Sequence, residues 1–159
     1  VIDIINHMKN FKSEIRFIEY MDVGESNKWD PSKVVSSESL LESINEHYSL
    51  KQMKTETSST AKKWHIKDSN SSIGLISSIT QPFCSCCNRA RLSVDGKLFT
   101  CLFASNGFDI KSVIRSDDYE EKLLEFFKKI WMERSDQYSQ IRFSSKRDLP
   151  KVEMSYIGG

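Results

Sequence analysis

The sequence has no apolar run of about 18 residues, and its start lacks the basic and then apolar pattern of a secretory leader. We therefore expect neither a membrane-spanning helix nor a signal peptide. It also lacks an excess of charge of either sign, because 23 lysines and arginines stand against 22 aspartates and glutamates. A near-neutral chain offers no general surface for polyanions, so an anion site must be built locally.

The length of the chain and the order of its sequence patterns limit the possible folds. A chain of 159 residues fits one domain, or one domain with a piece of a second. Apolar residues make up 38% of it, which is enough for a core. The order of the elements predicts an α+β fold with a mainly antiparallel sheet. The predicted helices are 1–11, one that starts at Ser36 or Ser37, and 117–133; the predicted strands are 15–21, 50–55, 61–67, 72–79, 91–94, 97–100 and 152–156.

Two of these elements carry more detailed predictions. The turn Asp95-Gly96 lies between two alternating segments and predicts a hairpin with a two-residue loop. In that register Ala90 lies opposite Cys101. The helix 117–133, capped by Ser116 or Asp117, has an apolar stripe that predicts a packed core face. The stripe consists of Tyr119, Leu123, Phe126, Phe127 and Ile130.

All four cysteines, Cys84, Cys86, Cys87 and Cys101, lie within one short stretch. Disulfide scaffolds spread their cysteines along a secreted chain, so this clustering favours a cytoplasmic protein with a metal site. Cys84 and Cys87 form a C-x-x-C pair, and the hairpin brings Cys101 back towards them as a third thiolate. Spacing alone leaves zinc and an iron–sulfur cluster open, beside the less favoured alternative of buried thiols without a metal.

Arg89 and Arg91 follow the cysteine pair with alternate spacing, which places both on one face of a strand. Two guanidinium groups beside a metal site suit a phosphate-bearing ligand. Solvated arginines on an exposed strand explain the same spacing equally well. The three histidines, His7, His47 and His65, lie far apart without ligand spacing, and we expect none of them to bind a metal.

Several segments, taken in order, resemble one family over nearly the whole chain. They are 16–24 (RFIEYMDVG), 82–93 (PFCSCCNRARLS), 95–96 (DG), 101–104 (CLFA) and 154–159 (MSYIGG). The family is MoaA, the radical-SAM GTP 3′,8-cyclases of molybdenum cofactor biosynthesis. The resemblance implies two [4Fe-4S] clusters in the full-length enzyme. The first cleaves S-adenosylmethionine to a radical that takes hydrogen from the ribose C3′ of GTP, and C3′ then joins guanine C8.

The resemblance also implies roles for individual residues. It makes Cys84, Cys87 and Cys101 the ligands of the second cluster, which keeps one iron open for guanine, and it gives Cys86 no such role. It also implies that Arg89-Ala90-Arg91 contacts GTP and that Met21 contacts S-adenosylmethionine. Gly158-Gly159 corresponds to a tail that reaches into the active site and takes part in catalysis.

One departure from the family bears on the fold. The radical-generating cluster is bound by C-x-x-x-C-x-x-C, and the sequence contains no such motif. We therefore expect the C-terminal part of an incomplete TIM-type barrel in residues 1–30. A mainly antiparallel sheet domain with the iron–sulfur site follows in residues 31–159. The missing N-terminal radical-SAM half is then a required partner.

The resemblance also sets the expected partners. GTP is the expected ligand, and a homodimer is a candidate assembly. A functional link to cyclic pyranopterin monophosphate synthase is expected as well, whereas membranes and nucleic acids are not expected partners. The main alternative is a zinc-stabilised module in which Cys86 becomes the fourth ligand and the two arginines contact nucleic-acid phosphates. A degenerate remnant without activity is a third interpretation.

Overall fold

The computed structural model describes residues 1–141 and 150–157, and at Ile141 only the backbone. The chain forms two compact units. Unit 1 comprises residues 1–21 and 30–86, and unit 2 comprises residues 22–29 and 87–159. In the described part of the chain, no helix has the length and the apolar character needed to cross a bilayer.

Unit 1 is built on a four-stranded sheet. Its elements are α1 (Ile2–Met8), β1 (Glu14–Ile18), a 3-10 turn (Pro31–Lys33), α2 (Ser37–Asn45), β2 (Leu50–Gln52), β3 (Lys62–Ile66), β4 (Ser72–Ile76) and a second 3-10 turn (Cys84–Cys86). The strands lie in the order β1-β4-β3-β2. Strands β1 and β4 pair in parallel, whereas β4 with β3 and β3 with β2 are antiparallel.

The core of unit 1 explains why these segments form these elements. Its buried members come from both helices and from three strands, so helices and sheet share one apolar interior. Strand β4, in the interior of the sheet, is the most buried strand, with Ile73, Gly74 and Leu75 all shielded. Helix α2 starts where the sequence predicts, because the Ser36 hydroxyl accepts a hydrogen bond from the Ser39 N–H at 3.1 Å.

Unit 2 contains a three-stranded antiparallel sheet, and helices follow it in sequence. The elements among its described residues are β5 (Arg91–Leu92), β6 (Lys97–Phe99), β7 (Phe108–Asp109), α3 (Lys111–Ile114), α4 (Tyr119–Met132) and α5 (Tyr138–Ile141). The strands lie in the order β5-β6-β7. The predicted α+β class with mainly antiparallel pairing is therefore confirmed. No barrel closes among the described residues. The partial barrel and the domain boundary at residue 30 stay predictions.

The predicted hairpin forms, but its register differs by one residue. Arg91 pairs with Phe99, and the Ser93 N–H donates to the Lys97 carbonyl, so the loop has three residues instead of two. Gly96 ends this loop with φ +83°, the left-handed conformation that closes three-residue loops. The placement of Ala90 opposite Cys101 is therefore wrong.

Three further predictions are wrong wholly or in part. Helix α4 forms, but within its predicted stripe only Ile130 is buried, while Tyr119 and Phe127 are exposed. The N-cap residue of the helix is Asp118, not the predicted Ser116 or Asp117, and its side chain accepts no hydrogen bond from the helix. Residues 152–156 contain turns and no strand.

Candidate functional site

The four cysteines are all free thiols, and they divide between the two units. Cys84 and Cys86 lie in the 3-10 turn at the end of unit 1, whereas Cys87 and Cys101 belong to unit 2. Cys86 is exposed and the other three are half-buried. The three thiols that the resemblance selects are thus the shielded ones.

Cys87 is held by a guanidinium group two residues further along the chain. Nε and Nη2 of Arg89 lie 3.3 and 3.2 Å from the Cys87 Sγ. Burial would raise the pKa of the Cys87 thiol, but hydrogen bonds from Arg89 and Arg134 and the charge of Arg89 outweigh it and hold the pKa below its usual value. Cys87 is therefore biased towards the thiolate, the form that binds metals.

Arg91 joins this group from strand β5. Burial lowers the pKa of its guanidinium, and the neighbouring charge of Arg89 lowers it further, while Cys101 and Cys87 act in the opposite direction. In unit 2, Arg89 thus contacts Cys87, and the charge of Arg91 interacts with Arg89, Cys101 and Cys87. The expectation that both arginines project from one strand is wrong for Arg89, which precedes β5.

Arg134 is a member of this neighbourhood that the sequence patterns did not indicate. Its Nη1 donates to the Cys87 carbonyl and its Nε pairs with Asp136, which accepts the Thr100 hydroxyl at 2.6 Å. The guanidinium also lies over the ring of Trp131, 5.1 Å from its centroid. No local motif identifies Arg134, because it contacts a residue 47 positions away.

The spacing of the thiols bears on metal binding. No three histidine, cysteine or carboxylate side chains lie close enough to hold a metal ion, as far as the described residues extend. The donor chemistry of Cys87 and Cys101 suits thiolate ligation, and the three-thiolate cup that they would form with Cys84 stays a prediction. A nearby cavity of about 250 Å³, lined by Thr100, Arg134 and Asp136 among others, is also smaller than the roughly 300–1,000 Å³ of typical ligand sites.

A buried carboxylate organises unit 1 near the predicted S-adenosylmethionine contact. Glu19 is only 4% exposed and accepts four hydrogen bonds. The donors are the backbone N–H groups of Ser37, Ile79 and Thr80 and the Thr80 hydroxyl, at 2.6–2.9 Å. Met21 follows two residues later and is half-buried. An acidic residue inside an apolar strand segment was the available signal for Glu19.

The end of the chain contacts unit 2 before the described residues stop. Ile157 is fully buried, and the Tyr156 hydroxyl donates to Asp95 at 2.7 Å. The predicted tail residues, Gly158 and Gly159, lie outside the described residues.

Comparison with known proteins places this chain in a family. Residues 13–140, which include every cysteine and both arginines of the group, match the family model described as Molybdenum Cofactor Synthesis C. The chain belongs to this family.

The chain also matches curated relatives over its whole length. The proteins named GTP 3′,8-cyclase from Staphylococcus aureus strains JH9, Newman and Mu3 are each 43% identical over 164 aligned residues. The alignment covers 100% of this chain and 48% of each relative. The chain thus spans about half the length of the curated relatives it matches, and its resemblance to a C-terminal MoaA portion is confirmed.

Proposed function

We propose that the chain is the C-terminal part of a GTP 3′,8-cyclase and that it binds GTP and the second [4Fe-4S] cluster. The observation that carries this proposal is the group in unit 2 where Arg89 donates to the half-buried Cys87 thiol and Arg91 interacts electrostatically with the half-buried Cys87 and Cys101. Identity of 43% to curated cyclases over the whole chain supports the same assignment.

The residues of unit 2 suit the cluster and the nucleotide in different ways. Thiolates are the protein ligands of iron–sulfur clusters, and Arg89 already favours the thiolate of Cys87. Guanidinium groups match phosphate oxygens through paired hydrogen bonds, and two adjacent cations at Arg89 and Arg91 repel each other until an anion arrives. We therefore assign the arginines to the triphosphate and Cys84, Cys87 and Cys101 to the cluster.

The proposed reaction also needs parts that lie beyond this chain. S-adenosylmethionine, the first cluster and the radical-SAM half would come from the full-length enzyme, with Met21 as the contact contributed here. The cluster, when bound, supplies an open iron for the guanine base. The Gly158-Gly159 tail, the homodimer, the cytoplasmic location and the link to cyclic pyranopterin monophosphate synthase stay predictions.

The zinc-stabilised module is the weaker alternative. It requires Cys86 as a fourth ligand, but Cys86 is the exposed cysteine, and the near-neutral charge does not favour nucleic acid. The two functions are separated by metal content and by the response to GTP.

The test is anaerobic reconstitution of the 159-residue chain with iron and sulfide, followed by metal analysis and EPR of the reduced protein. We expect about four irons per chain and a spectrum that changes when GTP is added. Cys84→Ser and Cys101→Ser should lose the iron, whereas the matched Cys86→Ser should keep it. One zinc per chain, no iron and no response to GTP would replace this proposal with the zinc module.

The arginines are tested by GTP affinity at constant iron content. Arg89→Ala and Arg91→Ala should each weaken GTP binding about tenfold to a hundredfold, since a hydrogen bond to a charged group contributes about 1.5–3 kcal/mol. Arg115→Ala, at an exposed residue after α3, is the matched control and should leave the affinity unchanged. Equal affinities for all three variants would remove the arginines from the site.

A further inference from the structure

An ion pair in unit 2 links the two segments that carry Cys87 and Cys101. Nη1 of Arg134 donates a hydrogen bond to the Cys87 carbonyl, and its Nε pairs with one oxygen of the Asp136 carboxylate. The other oxygen of Asp136 accepts the hydroxyl of Thr100, the residue before Cys101, at 2.6 Å. Arg134 and Asp136 thus connect the backbone of one cysteine to the neighbour of the other.

The Arg134 guanidinium is held in place by its surroundings. Its side chain is only 12% exposed, and the group lies over the ring of Trp131, 5.1 Å from the ring centroid. Because a guanidinium is planar and its N–H groups point in fixed directions, Nη1 and Nε serve two different acceptors at once. A lysine carries the same charge on a flexible stem and cannot reproduce this paired geometry. The contact therefore depends on the shape of arginine as well as on its charge.

The two linked segments differ in what else supports them. The Cys101 segment is well packed, since Thr100 and Phe103 are both buried and the Phe103 N–H donates to the Cys101 Sγ at 3.5 Å. Residues 87–90 belong to no helix or strand. Their backbone therefore lacks the regular hydrogen bonds of such an element, and the bond from Arg134 to the Cys87 carbonyl supplies a fixed point.

We propose that Arg134 and Asp136 are positioning residues, which fix the backbone at Cys87 relative to the segment that carries Cys101. The proposal rests on the proposed function, in which both thiols bind the same cluster. Residues that hydrogen-bond to the surroundings of metal ligands hold those ligands in the orientation that the metal needs. Neither Arg134 nor Asp136 is itself a ligand, and both act through the segments that they join.

The first test measures the link without iron, by hydrogen exchange of the 159-residue chain with peptide-level mass spectrometry. Arg134→Ala should speed exchange in the peptides that cover 87–92 by about tenfold, because the segment opens locally once its fixed point is lost. Arg134→Lys should come close to the alanine variant, since it keeps the charge but not the paired geometry. Arg115→Ala, at an exposed residue after α3, is the matched control and should change nothing. Unchanged exchange in Arg134→Ala would overturn the proposal.

Peptides elsewhere in unit 2 separate local positioning from general stability. Exchange in the part of α4 that covers 119–126 should stay near the wild-type rate in Arg134→Ala. A uniform rise throughout unit 2 in both Arg134→Lys and Asp136→Asn would show that the ion pair only stabilises the fold, and would overturn the positioning role. If Arg134→Ala unfolds unit 2, these two milder variants decide, with Asp117→Asn at an exposed site as the control for Asp136→Asn.

A double-mutant cycle shows whether the contacts act as one chain. Thr100→Val keeps the shape of the side chain but removes the hydroxyl that Asp136 accepts. It should speed exchange of 87–92 less than Arg134→Ala does, and the combination of both changes should go no further than Arg134→Ala alone. Additive effects would show that Thr100 and Arg134 act separately, and would contradict a link between the two segments.

The positioning role is then read from the retention of iron. In the iron-reconstituted chain, Arg134→Ala and Asp136→Asn should lose iron to a chelator about tenfold faster than the wild type, whereas Arg115→Ala and Asp117→Asn keep its rate. A wild-type rate in variants with a loosened 87–92 segment would overturn the positioning role and leave the proposed function intact. A wild-type chain that takes up no iron would overturn the proposed function and with it the role of this link at the cluster, whereas the exchange results would still report on the link itself.

Discussion

Glu19 illustrates how a single side chain can hold distant parts of unit 1 together. Its carboxylate joins the end of β1 to the start of α2 and to the segment at 79–80, which leads towards Cys84. Burial alone would raise the pKa of Glu19, but the hydrogen bonds from Thr80, Ser37 and Ile79 outweigh it and lower the pKa. The group is therefore a charged acceptor in the folded protein.

We predict that Glu19→Gln destabilises unit 1 by about 2–4 kcal/mol. The amide keeps one accepting oxygen but turns its NH2 group towards the other donors, which lose their acceptor at about 1–3 kcal/mol for each buried group. The expected fall in melting temperature is about 5–15 °C, measured by circular dichroism. Glu42→Gln, exposed on α2, is the control and should change little.

The pH dependence of the same variant gives an independent check. Because the folded pKa of Glu19 is lowered, its contribution is present above the unfolded value of about 4.5 and is lost as the pH falls through the folded pKa. The gap in stability between wild type and Glu19→Gln should therefore narrow below that pH. A constant gap down to pH 3 would contradict the role of the charge.

The residues that the sequence predicted and those it missed differ in how far along the chain their contacts reach. Cys87, Arg89 and Arg91 lie close together in the chain, so their spacing alone indicates a shared neighbourhood. Glu19 and Arg134 act over 61 and 47 positions, and no local pattern connects them to Thr80 or Cys87. Long-range hydrogen bonds of buried charged groups become visible only in the fold.

At the scale of elements, the hairpin of unit 2 shows what a turn motif predicts and what it does not. The Asp-Gly pair identified the position of the turn correctly. The loop gained a residue because the Ser93 hydroxyl accepts the Lys97 N–H at 3.0 Å and itself donates to Asp95, which closes the turn one position earlier. A side-chain bond inside the loop thus decides the register.

Gly96 allows a prediction for this element. Gly96→Ala should destabilise unit 2 by about 1–3 kcal/mol, because a left-handed φ is strained for alanine and its Cβ would lie 2.9 Å from the Lys111 Cβ. Urea unfolding followed by fluorescence measures the loss. Gly96→Asn should lose less, since asparagine tolerates this conformation better. Equal stability of the alanine variant would mean that the loop rearranges freely.

Helix α4 shows what hydrophobic periodicity predicts about a helix and what it does not. The 3.6-residue pattern predicted the helix correctly, but it did not predict what covers its apolar side. Phe127 and Trp131 are more than one-third exposed, and Ile130 alone in the helix is buried. A hydrophobic stripe shows that a helix has two faces, whereas the surroundings decide how much of one face is shielded.

At the scale of the whole molecule, the chain matches its relatives from end to end but spans 48% of their length. The sequence motifs, which lie from residue 16 to residue 159, therefore sufficed to identify the family. The expected cluster ligands divide between the two units, so the three-thiolate cup stays a prediction. Ligand spacing along a chain predicts a shared site only when the intervening backbone brings the side chains together.

We expect this chain by itself not to cleave S-adenosylmethionine. The sequence contains no C-x-x-x-C-x-x-C motif, and if Cys84, Cys87 and Cys101 bind one cluster, only Cys86 is left, which is too few thiols for the radical-generating cluster. The iron-reconstituted chain, incubated with S-adenosylmethionine, GTP and dithionite, should form no 5′-deoxyadenosine above the protein-free blank, as measured by liquid chromatography. A Staphylococcus aureus GTP 3′,8-cyclase under the same conditions is the positive control. Stoichiometric 5′-deoxyadenosine from the chain alone would show that the cluster at Cys84, Cys87 and Cys101 itself cleaves S-adenosylmethionine, and the assignment of that site to GTP would then be wrong.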